Sequence, residues 1–141
     1  MTPSTENRSL LIIGIRGHAV AVDRNTGEER WRVKLEDSWE GNPVELLVSG
    51  DIVYATGSSR EVYWIDYSTG HELRHASTTA ASGRATMLLD GDSLVVARAG
   101  SVDMFSVDGA RRWHNELQGL GHGAISLGFP GNVRQGDKDS R

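Results

Sequence analysis

From Leu10 onward, apolar runs of five or six residues, each closed by a turn signal, succeed one another along almost the whole chain. No stretch keeps the 3.6-residue period of a helix of ten or more residues, so the pattern predicts an all-β protein. The first strands are expected at 10–15, 18–23 and 29–35, joined through Arg16-Gly17 and Asn25-Thr26-Gly27, both tight-turn sequences. A four-strand group follows at 44–49, 52–56, 61–66 and 72–77, its first pair linked by Gly50-Asp51. A second occupies 85–89, 93–97, 101–106 and 111–117, with the turn Asp90-Gly91-Asp92. One more strand, 124–129, precedes Pro130-Gly131. Residues 1–9 read as a flexible arm, 10–129 as the folded body and 130–141 as a polar tail.

The same sentence is written three times. Ala21, Asp23, Thr26, Gly27, Glu29 and Trp31 are answered by Trp64, Asp66, Thr69, Gly70, Glu72 and Arg74, and, one residue shorter, by Met104, Ser106, Gly109 and Trp113. The turn glycines Gly27, Gly70 and Gly109 lie 43 and 39 residues apart, a period that suits a four-stranded propeller blade and is too long for a leucine-rich or ankyrin unit. Strands therefore count three, four, four and one left over. Propellers close their rings by borrowing a strand from the far end of the chain, and need about four to eight blades. Three blades with a spare strand predict a head-to-tail homodimer of six, in which 124–129 completes the first blade of the other copy. A partner chain carrying the missing blades, or a larger homo-oligomer, is the alternative.

In the first repeat Gly27 supplies the positive φ of the turn between the outer strands, and Trp31 presents a flat surface able to lie on a neighbouring blade. The complete pattern from Ala21 to Trp31 resembles the repeat of quinoprotein (PQQ-type) alcohol dehydrogenases and the outer-membrane assembly propellers related to them. The resemblance implies a tryptophan-docking girdle knitting blade to blade, with Ala21, Gly27, Trp31, Gly70, Gly109 and Trp113 as members. The second repeat exchanges its large and small partners, with Trp64 at the Ala position and Arg74 at the Trp position. A stacked guanidinium is a workable substitute, worth about 0.5–2 kcal/mol, so Arg74 is expected against an aromatic ring.

Composition narrows the chemistry. The chain has 141 residues, one domain by length, with 24% charged and 38% apolar residues and seventeen glycines against three prolines, as short strands and frequent turns require. A net charge of −4 gives no basic footprint for nucleic acid or anionic lipid, so neither is expected as a partner. No cysteine is present, which removes disulfides, thiolate metal sites and thiol nucleophiles together. The polar N-terminus and an apolar run too short for a signal core or a membrane span predict a cytoplasmic protein, although a chain relieved of its leader would read the same.

A quinone enzyme, as the resemblance implies, holds PQQ on the propeller axis between a tryptophan floor and a disulfide, beside calcium bound by Glu, Asn and Asp. This chain lacks the cysteines and any Asn-Asp pair in an expected inner strand. Its histidines, His18, His71, His75, His114 and His122, do not cluster, and four residues along a strand put His71 about 13 Å from His75. His75 and His114 read as solvated outer-strand residues. His122 lies in a formal G-x-G-x-x-A match, Gly119 to Ala124, but no helix follows to receive a phosphate, so a tight approach to the last inner strand is preferred.

A partner surface remains. The segments 36–43, 77–84 and 118–123 lead into inner strands and should gather on one face around the channel. Glu36, Asp37, Trp39 and Glu40 place an aromatic among carboxylates, a composition suited to a basic peptide or cation, although Trp39 as a cap on its own blade is preferred. Arg84 and His122 complete the candidate surface. The reading is a non-enzymatic binding or scaffolding propeller with no cofactor, metal or catalytic residue assigned. Its partners are a second copy of itself and another protein or peptide. The alternatives are a quinone- or metal-dependent oxidoreductase working in the channel of the assembled ring, or a subunit of a larger complex.

Overall fold

The computed structural model describes residues 8–37 and 43–136. Its first sheet holds β1 (Leu10–Ile15), β2 (His18–Asp23) and β3 (Glu29–Lys34) in the order β1-β2-β3. The second is a four-stranded meander of β4 (Glu45–Ser49), β5 (Ile52–Thr56), β6 (Ser59–Asp66) and β7 (Glu72–Ser82). The third repeats it with β8 (Ala85–Asp90), β9 (Ser93–Arg98), β10 (Ser101–Ser106) and β11 (Arg111–Asn115). All pairings are antiparallel.

The sheets stack face to face, β4 lying against both β1 and β8. Val53 and Ala55 of β5 join Ala19, Ala21 and Trp31 in one core, whereas Tyr54, Val62 and Trp64 meet Met87, Leu94, Val96 and Phe105 in the next. Neighbouring residues of one strand thus serve opposite cores, because side chains alternate across a sheet. Burial on both faces explains why β5 and β9 read as unbroken apolar runs. Among the described residues the first sheet lacks this second cover, and its far face leaves Leu11 56% and Ile15 53% exposed.

The C-terminal region departs from expectation. Where the sequence predicts one strand over 124–129 and a polar tail from 130, the structure has β12 (Leu127–Phe129) paired with β13 (Asn132–Arg134) across Pro130-Gly131. Leu127, Phe129 and Ile125 pack on Leu88, Val95, Ala97 and Val102 of the third sheet, and Asn132 Nδ2 donates to Leu89 O at 2.8 Å. The strand expected to be spare is therefore the first of a hairpin on β8. A second difference is β7, which runs to Ser82 instead of 77, shortening the connection to β8 to Gly83 and Arg84.

Candidate functional site

The repeated residues form a junction that recurs at the outer end of each sheet. Asp23 Oδ1 accepts from Asn25 N at 2.8 Å and Thr26 N at 3.0 Å, and Asp66 Oδ1 accepts from Ser68 N at 2.9 Å and Thr69 N at 3.0 Å. Thr26 Oγ1 and Thr69 Oγ1 each accept from the amide two residues on, at 3.2 Å. These side chains close the turn from within, which is why Asp and Thr recur around a glycine at positive φ. In the shorter third turn Ser106 Oγ takes the same task, accepting from Ala110 N.

Across each turn the large and small positions are cross-strand partners: Ala21 with Trp31, Trp64 with Arg74, Met104 with Trp113. In all three sheets the register slips immediately after that pair. Such a bulge raises the local twist of the outer strands, which lie against the next sheet in the first two repeats. Trp31, 9% exposed, crosses to the second sheet, where its Nε1 donates to Tyr67 O at 2.9 Å and a Cβ on Gly70 would stand 2.7 Å from its ring.

The second junction reaches the same end with the roles traded. Trp64, fully buried, donates from Nε1 to Val107 O at 2.8 Å, the carbonyl that matches Tyr67 O one sheet earlier. Arg74 lies over Gly109, its Cδ 2.7 Å from where a Cβ would be, and its Nη1 donates to Asp108 O. The aromatic ring expected under Arg74 is thus replaced by a glycine turn, because Trp64 has turned into the core to stack edge-on against Phe105. Among the described residues the cation over a ring is Arg111, 5.8 Å from the Phe105 centroid. In the third repeat Trp113 is 46% exposed. Gly27, with φ +77°, has nothing within 4 Å of its would-be Cβ.

At the opposite end of the sheets the candidate partner residues separate. Glu36 accepts four hydrogen bonds at 3.0–3.2 Å, from the amides and hydroxyls of Ser58 and Ser59. Its carboxylate fills the space over Gly57. Burial pushes the carboxyl up, but the Ser59 and Ser58 donors outweigh it and hold Glu36 below the usual carboxylate range. It is a brace between first and second sheets, not a patch left open to a ligand. Asp37 is exposed and paired with Lys34 at 2.9 Å. Trp39 and Glu40 lie outside the described residues. Arg84 and His122 come together, lining one cleft of about 280 Å³ between 82–86, 97–99 and 122–125.

Beside that cleft is a pair that sequence reasoning missed. Arg98, 1% exposed, donates to Gly57 O at 2.8 Å, Gly83 O at 2.5 Å, Thr56 Oγ1 at 2.5 Å and Thr78 Oγ1 at 3.3 Å. Burial pushes its guanidinium down to about 10, against an upward pull from Glu36 and Asp103. Asp103, also 1% exposed, accepts from the amide and hydroxyl of Thr79 and pairs with Arg111 at 3.4 Å. The available signal was a charged residue inside or closing an otherwise apolar strand.

These contacts hold the sheets together. Calcium or another metal beside a quinone does not fit them: among the described residues no three His, Asp or Glu side chains are placed to share an ion, and the Asp103 oxygens are taken by Thr79 and Arg111.

Comparison with known proteins agrees with the fold. The family model described as outer membrane protein assembly factor BamB matches residues 1–138. The chain is similar to the crystal structure of BamB from Moraxella catarrhalis, at 24% identity and TM-score 0.61, over 87% of this chain and 37% of that one. It is also similar to the Pan2 WD40 domain of Neurospora crassa, at 20% identity and TM-score 0.65, over 80% of this chain and 36% of that one. A europium-containing methanol dehydrogenase matches at 14% identity and TM-score 0.59, over 77% of this chain and 23% of that one. No curated protein sequence matches. The chain spans little more than a third of the first two structures, and at these identities the likeness concerns the fold alone.

Proposed function

The chain belongs to the family described as outer membrane protein assembly factor BamB, propellers of PQQ-like repeats, and on that premise we propose that it is a protein-binding scaffold that works through its open blade surfaces. One observation carries the reading. Among the described residues two glycine seats are covered, Gly70 by Trp31 and Gly109 by Arg74, whereas Gly27 is uncovered and Trp113 stands half-exposed without a seat. An unseated tryptophan is the kind of side chain that dominates binding energy at interfaces.

The partner we assign is a second copy. Trp113 of one copy would lie on Gly27 of the other and donate to Arg24 O, the counterpart of Tyr67 O. The strand Leu127–Phe129 would leave its three-residue partner for the longer edge of Leu10–Ile15, whose first residue, Leu10, is bonded through N and O to the Tyr67 hydroxyl, and beside which lies a cavity of about 520 Å³ walled by Leu10, Leu11, Val48 and Tyr67. Two such exchanges close six blades. Multi-angle light scattering between about 5 and 200 µM tests this: the expected mass is twice that of the chain, and Trp113→Ala is expected to weaken association at least tenfold, since interface tryptophans cost about 2 kcal/mol or more when truncated. A chain that stays monomeric throughout, or a Trp113→Ala variant that dimerises like the parent, refutes self-assembly by this route.

A further inference from the structure

We infer that β13 (Asn132–Arg134) is a self-cap that restrains assembly: beside Leu127–Phe129 it occupies the place that Leu10–Ile15 of a second copy takes, and Asn132 is its latch. The inference rests on the self-assembly reading and adds a regulation to it.

The plan of the repeat is the first argument. In the second and third sheets the inner strand turns straight into its neighbour with two residues between the paired ends, Ser49 with Ile52 and Asp90 with Ser93. Phe129 and Asn132 are paired across Pro130-Gly131 in the same way. β12 and β13 thus copy the opening hairpin of a blade, with β13 in second place. In the first sheet that second place belongs to β1, because β1 pairs with the strand carrying Ala21 as β5 pairs with the strand carrying Trp64. Among the described residues, then, one unfinished blade has its opening pair and no third strand, and the other has its last three strands and no first. Two segments of the same sequence fit one place beside Leu127–Phe129.

The balance between the two competitors is the second. β13 is three residues long and its Val133 stays 60% exposed, so its apolar burial contributes little. β1 is six residues long. Its Leu10 is held by the Tyr67 hydroxyl, but residues 11–15 lie beyond that bond, and Leu11 and Ile15 present apolar surface that joining a neighbour would cover. What keeps the weaker strand in place is Asn132, whose Nδ2 donates to Leu89 O at 2.8 Å and to Asp90 Oδ1 at 3.1 Å, at the end of β8. Those bonds hold β13, while Leu127 and Phe129 hold β12 through the apolar face of the third sheet. A cap on the same chain is at hand at any dilution, whereas a second copy must be met, so the cap wins when the protein is scarce. It also keeps the outer edge of β12 from pairing with a wrong strand.

The test uses the full chain, with mass read by light scattering, and a peptide of residues 8–17 as the competing strand, its binding read by amide chemical shifts at 127–129. Asn132→Ala, which cuts the latch and leaves Leu127 and Phe129 seated, is expected to tighten both self-association and peptide binding about tenfold. A reversible lock gives the converse. A Cβ on Gly128 would stand 4.0 Å from the Cβ of Val133, within the span of a disulfide, and the chain has no cysteine of its own. The chain carrying Gly128→Cys and Val133→Cys should refuse both the peptide and a second copy when oxidised, and accept them when reduced. A folded Asn132→Ala variant that binds the peptide and itself no more tightly than the parent, or oxidised and reduced chains that behave alike, would overturn the self-cap. Peptide binding that obeys latch and lock in a chain that never self-associates sustains it, and counts only against the second copy as the partner.

Discussion

Placing an alanine on each of two matched glycines separates the cost of the turn from the cost of the junction above it. Gly27 and Gly70 have nearly the same backbone, φ +77° and +80°, and occupy the same place in the repeat. Giving either a Cβ forces an L-residue into the left-handed region, at about 1–2 kcal/mol. Gly27→Ala should cost that and no more, because open space surrounds its Cβ. At Gly70 the new methyl would lie 2.7 Å from the Trp31 ring, which must lift and release the 2.9 Å bond from Nε1 to Tyr67 O. A buried donor and acceptor parted in this way add about 1–3 kcal/mol, so Gly70→Ala should cost about 2–5 kcal/mol. Urea unfolding at dilutions where the chain is monomeric measures both, with shifted midpoints at unchanged slope. In a Trp31→Ala background the excess at Gly70 should vanish, leaving the Gly27 value. Equal costs at the two glycines, or an excess that survives removal of Trp31, would refute the idea that Trp31 latches the first two sheets through Gly70. At concentrations favouring assembly, a tryptophan seated on Gly27 should raise the cost of Gly27→Ala toward that of Gly70→Ala.

Two further outcomes follow from the same contacts. Trp64→Ala should cost about 3–5 kcal/mol in urea unfolding, and adding Arg74→Trp should recover most of it, because the pair then copies Ala21 and Trp31; a double variant no more stable than the single one counts against equivalent junctions. Glu36→Gln should cost about 1–3 kcal/mol at neutral pH by breaking hydrogen bonds from Ser58 and Ser59. Because folding depresses the Glu36 pKa, its stabilisation is present above the ordinary carboxylate value and is lost as pH falls through the folded one, so parent and variant should converge in acid titrations of stability; a gap that persists there speaks against the depressed carboxyl.

Strand positions and blade period were legible because they are written locally. The runs 10–15, 18–23, 52–56 and 101–106 coincide with β1, β2, β5 and β10, since each is an apolar run ended by turn chemistry that acts within a few residues. The junction residues were legible because repetition marks them: two positions nine or ten residues apart, around a glycine, name the cross-strand pair without coordinates.

The rest was decided by which sheets meet. Arg98 gathers Thr56, Gly57, Thr78 and Gly83 from 15 to 42 residues away, and no spacing along the chain announces that set. Arg74 found a glycine because Trp64 had already taken the ring's place in the core, a choice made between two sheets. Asn132–Arg134 carries almost no strand signal of its own, and pairs because Leu127 and Phe129 are drawn onto β8 and bring it alongside. Local hydrogen bonding and alternation are properties of neighbours in sequence, so the chain itself settled the blades. Satisfaction of buried charge and the covering of faces are properties of neighbours in space, so only the packed molecule settled the braces, the seats and the cleft.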